Sequence, residues 1–124
     1  GATGPYLQYA YARLKSILKK TNSEEQVVNN FGQTEITEIE RRLAVIITRL
    51  PEELERGVAE RAPNIVANYL LSLAQVANEF YHASPVMKET DLGKKAMRLD
   101  LIRATTITLK EGLELLGIKP QEEM

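Results

Sequence analysis

Apolar residues recur at helical spacing along nearly the whole chain. From Pro5 onward, Leu7, Tyr11, Leu14 and Leu18 stand at i, i+4, i+7 and i+11, one stripe of a helix running to about Lys20. Pro5 suits its first turn, where a missing N–H leaves nothing unpaired. Thr21-Asn22-Ser23 breaks the pattern, and Gly32 lies in a polar connection. Ile36, Ile39, Leu43, Ile46, Ile47 and Leu50 mark a second helix, opened by Thr34 or by Thr37, whose spacing to Glu40 is that of a capping box. Pro51 ends it and starts a short charged helix to about Arg61, read as an exposed connector, with Glu52 and Glu53 in the favourable first turn. Ala62-Pro63-Asn64 opens a fourth helix whose wide apolar face (Ile65, Val66, Tyr69, Leu70, Leu73, Val76, Ala77, Phe80) predicts the central position. It ends near Tyr81-His82-Ala83-Ser84-Pro85, since Pro85 restricts Ser84 away from helix. Met87 to Gly93 reads as loop, and a fifth helix runs from about Lys94 to Leu116. Met97, Leu101, Ala104 and Thr108 mark one of its lines; Leu99, Ile102, Leu109, Leu113 and Leu116 mark another. Gly112 costs about 1 kcal/mol against alanine, which implies a close helix contact. Gly117 suits the position after the last turn, and Pro120 follows as a stop. With no strand pattern and no repeat, the expected fold is an all-α bundle of four long helices and one short one.

A second stripe on the first helix is less ordinary. Tyr6, Tyr9, Arg13 and Lys20, at i, i+3, i+7 and i+14, lie opposite the apolar one. A solvent-facing stripe normally carries Glu, Lys and Gln; this one carries two aromatic rings and a guanidinium within two turns. Tyrosine offers a flat surface with a polar tip, and arginine stacks, pairs with phosphate or bonds a base edge. Single-stranded nucleic acid needs that combination. The same spacing also suits half-buried packing residues whose hydroxyls reach water, or the anchors of a protein interface. Tyr11 and Tyr69 sit on apolar stripes and read as structural.

Composition narrows the classes. The 124 residues suit one domain spanning 1–124, large enough to bury a core without a metal or disulfide staple. There are no cysteines, hence no disulfide framework and no thiolate metal site. No apolar run reaches membrane-span length and no signal peptide is visible, so a cytoplasmic protein away from membranes is expected. The missing initiator methionine suggests a piece excised from a longer chain. Net charge is −1, but residues 1–23 carry +4 and residues 88–110 carry +3, against −4 over 24–61. RNA should therefore meet the first helix and the Lys88–Lys110 region. No phosphate-cradling glycine loop, nucleophile elbow or HExxH is present, so no catalytic site is expected. His82 reads as a solvated helix-end residue, Glu52-Glu53-Leu54-Glu55 as a solvated first turn rather than a metal site, and Met87 and Met97 as gap-fillers.

Several segments resemble one family. Gly4-Pro-Tyr-Leu-Gln-Tyr-Ala-Tyr-Ala-Arg13 resembles the opening of the carboxy-terminal anticodon-binding domain of arginyl-tRNA synthetases. Arg98-Leu-Asp-Leu-Ile-Arg-Ala-Thr105 looks like that domain's DALR-type last helix, and Glu111-Gly-Leu-Glu-Leu-Leu-Gly-Ile-Lys-Pro120 with Met124 looks like its closing signature. Phe80-Tyr81-His82-Ala83-Ser84-Pro85-Val86 is similar to the helix end before its variable loop. The resemblance implies a helical bundle that grips the anticodon loop of arginine tRNA. Tyr6, Tyr9 and Arg13 would form the stacking and base-reading face, Tyr81 would add a ring, and Met124 would pack against the same bases. Lys15, Lys19, Lys20, Lys94, Lys95 and Arg98 are candidates for RNA backbone contacts. The parent enzyme would use ATP and magnesium in a catalytic domain elsewhere; the piece itself would need no cofactor or metal, bind no DNA and act as a monomer. The alternatives are a helical protein–protein module and the anticodon-binding domain of another class I synthetase.

Overall fold

In the computed structural model, which describes residues 3–23 and 35–120, five helices follow one another: α1 (Thr3–Lys20), α2 (Glu38–Ile47), α3 (Leu50–Ala59), α4 (Pro63–Ala83) and α5 (Leu92–Leu115). Local chemistry explains their ends. Thr37 caps α2 with a full capping box: the Glu40 amide donates to the Thr37 hydroxyl, and the Thr37 amide to the Glu40 carboxylate. Pro51 and Pro63 occupy the first turns of α3 and α4. The Asp91 carboxylate accepts from the Lys94 amide, so α5 starts at Leu92, two residues before the expected Lys94. Three helices end alike. Asn22, Arg61 and Gly117 take positive φ, and the next amide reaches back to the carbonyl five residues earlier: Ser23 to Leu18, Ala62 to Gly57, Ile118 to Leu113.

α4 packs against each of the other four helices, in the central place its apolar face predicts, and α5 also packs on α1 and α2. The core they share includes Leu7, Leu14, Leu18, Leu43, Leu70, Leu73, Phe80, Met97, Leu101, Ile102, Leu109 and Leu113. Tyr11 and Tyr69 are buried, as their stripes imply. The Tyr69 hydroxyl donates to the Ile46 carbonyl at 2.6 Å, satisfying the end of α2. Burial, then the Glu53 carboxylate, push its pKa up to about 12. Gly112 lies against α4, where an added Cβ would overlap the Leu70 side chain.

Further expectations change. Ile36, placed in the buried stripe of the second helix, precedes the helix and is exposed. Met87, read as a gap-filler, is half exposed, whereas Met97 is fully buried. From Met97 to Thr106 α5 is buried nearly all round, and its inward positions include Arg98, Asp100 and Arg103. Arg98 Nε donates to Glu40 at 2.7 Å and its Nη1 to the Pro85 carbonyl at 2.6 Å, with Glu89 3.4 Å away. Arg103 pairs with Asp100 and donates to the Ser23 carbonyl at 2.8 Å. These two arginines tie α5 to the start of α2, the turn after α4 and the end of α1. Thr34 and the Gly32 connection lie outside the described residues.

Candidate nucleic-acid interface

Where α1 meets α4, both helices carry short side chains. Ala10, Ala74 and Ala77 leave a cleft of about 260 Å³ between them, bordered by Tyr6, Tyr9, Arg13, Asn78, Tyr81 and His82. The α1 members come from the Tyr/Tyr/Arg stripe. The α4 members follow the same helical rule: Ala74, Asn78, Tyr81 and His82 stand at i, i+4, i+7 and i+8, on the face turned toward α1.

Arg13 is the centre of the cluster. Its guanidinium carbon lies 3.8 Å from the Tyr81 ring centroid and 5.6 Å from that of Tyr9, both within cation–π reach. Its Nη2 stands 3.2 Å from His82 Nε2. A guanidinium only donates, so this contact makes Nε2 the acceptor and puts the imidazole proton on Nδ1. His82 in turn meets Tyr81 edge-on, with centroids 5.2 Å apart and planes at 86°. Tyr9 is 52% exposed and Tyr81 37%. Two rings and a guanidinium are thus fixed by one another with flat surface open to solvent, and four guanidinium N–H groups and the Asn78 amide remain for a ligand edge.

The other candidate residues divide. Tyr6 borders the cleft and also packs on the core. Lys20 is exposed at the end of α1; Lys15 and Lys19 already make interactions within the chain. Lys94 and Lys95 are half-buried in the first turn of α5. Arg98, expected at the RNA backbone, is buried in the ion pair with Glu40 and cannot serve there. Met124 lies outside the described residues, although the chain leading to it is pinned beside α1 by a 2.9 Å bond from the Gln8 amide to the Lys119 carbonyl. His82 and Asn78 belong to the cluster although periodicity alone does not single them out. The available signal was their place on one stripe with Tyr81. Among the described residues no group of three or more His, Asp or Glu side chains could hold a metal ion, and no helix is long and apolar enough to cross a membrane.

Residues 7–124 match the family model of the DALR anticodon binding domain. The chain belongs to that family. Relatives of the DALR chain include the arginine–tRNA ligases of Saccharophagus degradans (39% identical over all of this chain and 21% of the relative), Colwellia psychrerythraea (41%, all of this chain and 21%) and Archaeoglobus fulgidus (40%, 98% of this chain and 22%). Among solved structures, Thermus thermophilus arginyl-tRNA synthetase superposes with a TM-score of 0.88 at 38% identity, over the whole of this chain and 21% of that one. The DALR chain spans about a fifth of the length of the ligases it resembles. Its all-α fold is that of their anticodon-binding domain, as the sequence resemblance implies.

Proposed function

We propose that this DALR domain binds the anticodon loop of arginine tRNA, as the specificity module of an arginine–tRNA ligase that couples arginine to its tRNA in the cytoplasm. Chain 1–124 acts as one unit of that longer enzyme, and ATP and magnesium serve in the catalytic part. The observation that carries the reading is Arg13, seated 3.8 Å over Tyr81 and within reach of Tyr9 at the mouth of an open cleft. Unstacked bases lie on Tyr9 and Tyr81, each stack contributing about 1–3 kcal/mol. Arg13 and Asn78 read a base edge, because RNA sequence is recognised through bases splayed out of the loop. Lys20, exposed on the same stripe of α1 as Tyr9 and Arg13, meets the RNA backbone, with Lys15, Lys19, Lys94 and Lys95 as weaker contributors. Met124 packs beside the same bases from the tail.

Titration with anticodon stem-loops of different tRNAs tests this. The arginine stem-loop should bind most tightly, with affinity falling as salt rises. Tyr9→Ala and Arg13→Ala should each weaken binding by about 1–3 kcal/mol while leaving helicity and unfolding unchanged. Equal affinity for every anticodon, or both variants binding as wild type, would refute the assignment. Binding indifferent to salt would instead favour a protein partner.

A further inference from the structure

The geometry points to a second nucleotide site next to the first, an inference that rests on reading the α1–α4 cleft as an RNA platform. Tyr81 and His82 line that cleft, and the same two rings line a second, larger cavity of about 360 Å³. The rest of its wall is mostly apolar: Ile17 of α1, Phe80 of α4, Pro85 and Val86 in the turn that follows, and Ile102 of α5, with Ser84 as the one small polar residue among them. Met87 stands half exposed at its edge, with Lys20 and Lys88, both exposed. Neither lysine forms an ion pair among the described residues, and none of the described lining residues is acidic.

A largely apolar hollow edged by two exposed ammonium groups suits a flat ring that carries phosphates. A purely aliphatic occupant would leave the lysines without partners; an acidic side chain would leave the hollow unfilled. The two cavities share a wall of one ring pair, so a strand seated on Tyr9 and Tyr81 continues into the second cavity without leaving the protein. The neighbouring base of the same loop packs against the Met87 thioether, a soft partner for ring edges, and the phosphates on either side of that nucleotide meet Lys20 and Lys88. Met87 and Lys88 thereby join the RNA-binding surface, on a segment whose polar spacing marks it only as loop.

The experiment is a titration with the arginine anticodon stem-loop carrying 2-aminopurine at one loop position at a time. Two adjacent positions should change emission on binding. Met87→Ala should weaken binding roughly 2- to 10-fold and alter emission at one of the two, while Tyr9→Ala alters the other. Lys20→Ala with Lys88→Ala should flatten the log–log salt dependence by about 1.4, or roughly 0.7 for each phosphate released. All three side chains are exposed, so circular dichroism should show unchanged helix content. If these variants keep wild-type affinity, salt slope and emission while Tyr9→Ala still weakens binding, the second site is wrong and the first stands. If Tyr9→Ala is also silent, the platform reading fails and takes the second site with it. Variants that keep RNA affinity but lose self-association in sedimentation would assign the cavity to a second copy of the chain and overturn the proposal.

Discussion

Arg13 does more than carry charge. Its plane lies over Tyr81, its edge bonds His82, and Tyr9 flanks it. A lysine keeps the charge but loses the planar contact and the aimed N–H groups. Arg13→Lys should therefore weaken binding of the arginine stem-loop by about 1–2 kcal/mol, close to the effect of alanine. Its salt slope should match wild type, because the count of cations is unchanged. Wild-type affinity in the lysine variant would show that Arg13 acts as a point charge. The sequence made the α1 half of this cluster legible, because Tyr6, Tyr9 and Arg13 break the composition expected of a wet stripe. His82 stayed hidden for a physical reason: a histidine in a last turn is favourable anyway, and its contact with Arg13 joins residues 69 apart.

At the level of helices, the tightest constraint is the meeting of α4 and α5. Alanine at 112 would gain about 1 kcal/mol of helix propensity. The added Cβ, however, would overlap the side chain of Leu70, which is fully buried and must shift within the core. Overpacking of that kind costs typically about 1–3 kcal/mol, so the steric effect should win. Gly112→Ala should lower stability in urea by about 1–2 kcal/mol, and Gly112→Val by more. A stabilised alanine variant would mean that the two helices separate at little cost. Periodicity located α1 and α4 well because each has one apolar face. α5 was harder: it is enclosed on most sides, so its stripes merge, and Arg98 and Arg103 look in sequence like free cations. Only their partners, Glu40 and the Pro85 carbonyl for one, Asp100 and the Ser23 carbonyl for the other, reveal them as internal ties. The start of α5 was misplaced because Asp91 as a cap competes with the loop character of the residues around it.

For the molecule as a whole, charge is distributed rather than abundant. The net of −1 attracts no polyanion at long range, so the proposed recognition relies on the local surface around α1. Integrity depends in part on the Glu40–Arg98 pair, which links α2, α5 and the turn bordering the second cavity. Burial alone would raise the Glu40 carboxyl; the Arg98 guanidinium and the Thr37 amide and hydroxyl outweigh it and hold the group below the usual carboxylate range. Since the folded value lies below the unfolded one, this contribution is complete above the unfolded value and is lost as pH falls through the folded one. Glu40→Gln should cost about 3 kcal/mol at neutral pH. Its stability should then decline less steeply than wild type as pH falls through and below the usual carboxylate range, as read by urea unfolding. Parallel curves would show that some other carboxyl governs the acid limit.

The left-handed turn that closes α3 has a consequence for anyone wishing to make this scaffold more heat-resistant. Of the three residues in that geometry, Gly117 adopts it freely and Asn22 tolerates it, but Arg61 carries a β-carbon into a region that favours glycine. It lines neither of the cavities assigned to RNA. The chain thus holds a small reserve of conformational tension that can be released without touching the surface proposed to read the anticodon.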